Sequence, residues 1–145
     1  MLNPSPPRRH LQLDEAVVQS LRHWDHPLYL GRGPLRRLVP DERFSYCAGG
    51  QIRRALVQAM ERLVSDLEGA TDIDSLRVRT YVQGLLDGRS DRQIGKDLGL
   101  SRQSVNSSVR WQAAAAIAEL LASSHPVNQL QGEPVRAQPF ARKVS

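Results

Sequence analysis

The chain holds one cysteine, Cys47, and few aromatics: two Trp, three Tyr and two Phe in 145 residues. A single cysteine excludes an internal disulfide and a cysteine-rich zinc site. No run of about 18 apolar residues occurs, so no membrane-spanning helix and no membrane partner are expected. Arg8 and Arg9 are followed by no apolar run, so residues 1–12 do not read as a signal peptide. The expected localisation is cytoplasmic. No alternating strand pattern, internal repeat or low-complexity block is present. No nucleophile elbow is visible, and Gly31-x-Gly33 is too short for a phosphate loop and lacks a preceding strand. An enzyme is therefore not expected, and no cofactor is implied. His23 and His26 with the later Cys47 do not complete a metal ligand set, so no metal site is expected.

What is present is aliphatic and basic. With 40% apolar residues and so few rings, a core must come from Leu, Val, Ile and Ala, which suits helices. The net charge of +5 is uneven. Residues 1–10 carry +2, residues 11–70 balance eight Arg against eight acids, and residues 74–122 and 123–145 carry +2 each. Such a distribution is a plausible footprint for a polyanion.

The expected architecture is an all-α small helical domain with a C-terminal helix-turn-helix and disordered termini. Residues 1–10 read as a disordered basic arm, and residues 123–145, with Pro126, Gly132, Pro134 and Pro139, as a flexible basic tail. A support region covers residues 11–70. In it Asp14 is the expected cap of a short helix with Leu13, Val17, Leu21 and Trp24 on one stripe, and Pro34 can start another short helix. Gly49 and Gly50 are expected to break the chain. Ile52, Ala55, Leu56, Ala59, Met60, Leu63, Val64 and Leu67 then follow helical spacing up to a stop at Gly69. Cys47 is expected in the core or a loop.

Residues 71–122 are the informative region. Asp74 is the expected cap of a helix burying Val78, Tyr81, Val82, Leu85 and Leu86, ended by Gly88. Ser90 caps a two-turn helix, Gly99 permits a left-handed reversal, and Ser101 caps the next helix. Ile94, Leu98, Leu100, Val105 and Val109 form a wedge between the two, and Gly95 marks a close approach. With Val105 inward, a regular helical wheel turns Gln103, Asn106, Ser107 and Arg110 outward. Asn and Gln can pair with adenine, and Arg with guanine or phosphate. Arg89, Ser90, Arg92, Ser101 and Arg102 lie where phosphates would be gripped.

The run Leu86-Asp87-Gly88-x-Ser90, Ile94-Gly95 and Leu98-Gly99-Leu100-Ser101-Arg102-x-Ser104-Val105 resembles the helix-turn-helix of LuxR-type regulators and of sigma-factor region four. The resemblance implies that the second helix, residues 102–112, enters the major groove of double-stranded DNA. It points to the same Gln103, Asn106, Ser107 and Arg110. Residues 106 and 107, often basic in such proteins, are Asn and Ser here, and the last helix runs on through Trp111 to Ala122.

The resulting expectation is sequence-specific DNA binding by a transcriptional regulator, in which Arg110→Ala weakens binding. The alternatives are a protein–protein adaptor that keeps the fold, or a DNA-binding accessory of a recombination or phage system. A homodimer seamed by the Ala113 to Ala116 run, RNA polymerase, or another regulator are the further partners considered.

Overall fold

The computed structural model describes residues 5–124, with side chains from Leu13 onward. Every regular element among them is helical: α1 (Ser5–Leu21), α2 (Pro27–Arg32), a single 3-10 turn (Arg36–Leu38), α3 (Ser45–Asp66), α4 (Ile73–Leu86), α5 (Asp91–Leu98) and α6 (residues 102–124). None is long and apolar enough to cross a membrane. The expectations for residues 1–4 and 125–145 lie outside the described residues.

One apolar cluster runs from Leu13 to Leu121. Ile52, Leu56 and Met60 of α3 have no exposed surface and form its centre. The spacing that places them on one helix face also leaves Arg53, Arg54, Glu61 and Arg62 outside. The C-terminal part of α6 packs against α1, α3 and α4. Residues 11–70 and 71–122 thus share one core, with α5 attached through α4 and the start of α6.

Several boundaries differ from the sequence reading. Helix α1 begins at Ser5, so Asp14 lies inside it and is not its N-cap. Pro6 and Pro7 stand in its first turn, where no N–H is needed. Pro34 leads only into the 3-10 turn, which nevertheless buries Leu35 and Leu38. Asp72, not Asp74, caps α4 by accepting the Ser75 N–H at 2.9 Å. That hydrogen bond to the ionised form holds the Asp72 carboxyl below its ordinary range. Its contribution to stability is therefore complete above the ordinary carboxylate range and fades as pH falls through the lowered folded value.

The largest departure is at Gly49 and Gly50. They do not break the chain but lie inside α3. A Cβ on Gly49 would sit 1.5 Å from the carbonyl oxygen of Pro27, and one on Gly31 1.7 Å from that of Ser45. The backbones of α2 and α3 therefore touch, and glycine is the only residue that fits either position. Gly50 meets nothing within 4 Å. Cys47 is exposed on the same helix and is not a core residue.

Candidate nucleic-acid interface

Local chemistry fixes α5 and the start of α6. Gly88, at φ 77°, ends α4. Ser90 then accepts the Gln93 N–H at 3.2 Å, while the Gln93 side chain accepts the Ser90 N–H at 3.0 Å. This reciprocal cap satisfies two otherwise unpaired donors. Ser90→Ala should lower stability by about 1 kcal/mol in urea denaturation. Gly99, at φ 70°, reverses the chain, and Leu100 N–H closes the turn on Gly95 O at 2.9 Å. Ser101 caps the next helix by accepting the Ser104 N–H at 3.1 Å.

The expected wedge is in place. Ile94, Val105 and Val109 are buried, with Leu98 and Leu100 half-buried beside them. Two glycines permit the close fit. A Cβ on Gly84 would come within 2.7 Å of Ile94 Cγ1, and one on Gly95 within 3.1 Å of Leu100 O. A carboxylate in place of Val105 would be buried without a partner, so Val105→Asp should abolish cooperative folding of this region in circular dichroism melts.

Helix α6 is not regular. It is α-helical over Arg102–Ser104, π-helical over Val105–Val109 and α-helical again over Arg110–Ser124. The Arg110 N–H bonds to Val105 O, an i→i+5 step that holds one extra residue. In a regular helix Arg110 would lie about 140° around the axis from Val105. With the extra residue it takes the place of its predecessor, about 40° from Val105.

That slip corrects the site. Arg110 is only 3% exposed and does not face solvent. Its Nε–H donates to the Tyr81 hydroxyl and its Nη2 to Asp91 Oδ2, both at 2.9 Å. Burial works against the Arg110 charge, but Tyr81 and Asp91 outweigh it and hold the guanidinium protonated more firmly than usual. Burial pushes the Tyr81 hydroxyl up. Arg110 thus ties α4, the first residue of α5 and the π turn together, and is a positioning residue.

Gln103 and Ser107 are exposed as expected. Asn106 is half-buried, and its side-chain oxygen has no hydrogen-bond partner among the described residues. The outward place expected for Arg110 falls instead to Trp111, 42% exposed, which the sequence reading missed. Ser108 and Gln112 are exposed beside it.

The charges around this face are partly spent. Arg110 is paired with Asp91. Arg89 holds Asp97 through Nε at 2.7 Å and Nη2 at 3.1 Å. Both partners of that second pair are over a third exposed, so little energy opposes its opening. Asp87 accepts a hydrogen bond from Gln83. Arg92, Lys96 and Arg102 are exposed and form no ion pair among the described residues. Of the expected phosphate contacts, Arg92 and Arg102 present free cations, Ser90 and Ser101 are engaged as caps, and Arg89 is neutralised. The caps leave N–H groups at the first positions of α5 and α6 unpaired within their helices. Ala113 and Ala114 are fully buried inside the protein, which removes them from the seam considered for a dimer.

No protein-family model, curated protein or solved structure matches this chain.

Proposed function

We propose that the protein binds double-stranded DNA with sequence preference and acts in transcription regulation, docking the start of α6 in the major groove as a helix-turn-helix does. The observation that carries this reading is one outward face bearing Gln103, Ser107 and Trp111, seated on the buried Ile94–Val105–Val109 wedge. Gln103 offers the paired donor and acceptor that adenine matches, and Asn106 can do the same once its amide turns outward. Trp111 supplies an apolar surface where Arg110 was expected. Arg92 and Arg102, beside the free N–H groups that start α5 and α6, hold the flanking phosphates.

The test uses Trp111 as its own reporter. In a Trp24→Phe background it is the single tryptophan. Titration with a mixed-sequence duplex should change its emission, and log K should fall linearly with log salt. Arg92→Ala and Arg102→Ala should each reduce that slope by about 1. Gln103→Ala should leave the slope intact and reduce only the preference between sequences. Unchanged emission on saturation with duplex would place DNA elsewhere on the surface.

A further inference from the structure

The aromatic residues are distributed against expectation. The chain has few, yet its core is aliphatic apart from Tyr81. Phe44 and Tyr46 are 65% and 66% exposed, and Tyr29 and Leu28 are also among the exposed large apolar side chains. All four lie on α2 and the start of α3. The Gly31–Ser45 backbone contact brings these segments together, with Phe44 and Tyr46 flanking Ser45 in the chain.

The stretch of chain that carries these rings is basic. Residues 22–54 contain seven Arg and three acidic residues, whereas residues 11–70 as a whole balance. Asp25 lies against His26, and Glu42 is engaged by Gln51 and by the Phe44 N–H. Arg43 lies over the Phe44 ring at 5.9 Å, and Arg32 is exposed on α2. Helix α2 packs on α3 and the 3-10 turn, while α5 packs on α4 and α6. The patch is therefore separate from the face assigned to duplex DNA.

We propose that the exposed Phe44 and Tyr46 rings, with Arg32 and Arg43, form a second site that binds single-stranded nucleic acid, while the Tyr29 ring packs on that of His23 with 4.1 Å between centroids. The charge decides the class of ligand. An Arg-rich surface repels a second copy of itself and attracts a polyanion. The flat rings stack on bases, whose faces are available only when unpaired, and the guanidinium groups hold the phosphates between them. Proteins that bind single strands without sequence preference combine the same two elements, a positive track and aromatic platforms.

The experiment titrates a labelled twenty-nucleotide oligo-dT by fluorescence anisotropy at fixed salt. Phe44→Ala and Tyr46→Ala change no charge, and both rings are largely exposed, so melting temperatures should stay near that of the parent. Each should weaken oligo-dT binding roughly tenfold, and Phe44→Tyr should restore it. Duplex binding should be unaffected. The Arg102→Ala variant should show the reverse pattern, so failure of one site is distinguishable from failure of the other. Equal oligo-dT affinity in parent, Phe44→Ala and Tyr46→Ala would overturn the proposal, as would no binding at all, and an acidic protein surface would then be the ligand to pursue.

Discussion

Arg110→Ala is expected to lower the unfolding free energy by about 3 kcal/mol, chiefly because it strands the Tyr81 hydroxyl, which cannot reach water, and empties a packed site. Tyr81 is fully buried, and Arg110 Nε–H is the partner of its hydroxyl. Asp91 would lose the cation that neutralises it at the head of α5. The substituted alanine would also leave the space of a long, packed side chain empty. Urea denaturation should show a lower midpoint with an unchanged slope. Arg110→Lys should recover little, since one ammonium cannot reproduce the fork that reaches both partners. Replacing Tyr81 by Phe together with Arg110→Met removes both sides of the contact and should be milder than Arg110→Ala alone. A fully stable Arg110→Ala protein that loses only DNA affinity would restore the outward-facing role.

A comparable loss is expected from Gly49→Ala, and its neighbour supplies the contrast. A methyl group 1.5 Å from the Pro27 carbonyl oxygen cannot be absorbed by a rotamer change, because the obstacle is backbone. Helix α2 must move off α3, with a loss of about 3 kcal/mol or more. Gly50→Ala adds the same atom one residue later, into open space within the same helix. It should raise stability by about 0.5–1 kcal/mol through helix propensity and a less flexible unfolded chain. Opposite shifts in the urea midpoints of the two variants are the expected result. Equal shifts would mean that the α2–α3 crossing is not close.

These two positions also show what the sequence conceals. Its local signals were reliable where one residue type carries the reason. Ser90, Gly99 and Ser101 stand where a cap, a left-handed reversal and a second cap are required, and all three perform those roles. The stripes of α3 and α4 followed directly from apolar spacing. A Gly-Gly pair reads locally as a breaker, because nothing nearby in sequence says that Pro27 will lie against it. The π turn was partly legible. Counted at about 100° per residue, Ile117 and Leu121 fall about 120° and 160° from Val105, yet all three are buried. One extra residue between them removes that mismatch of phase. The first half of the helix alone predicts Arg110 outside, and no local signal says that the buried Tyr81 hydroxyl needs a partner from this helix.

The central claim is that the start of α6 reads duplex sequence, and selection from a random duplex library at about 150 mM salt tests it most directly. The account predicts a defined enriched motif, lost with Gln103→Ala and retained with Phe44→Ala. No enrichment, with only weak and salt-sensitive retention of duplex, would leave backbone electrostatics as the whole interaction and contradict the claim.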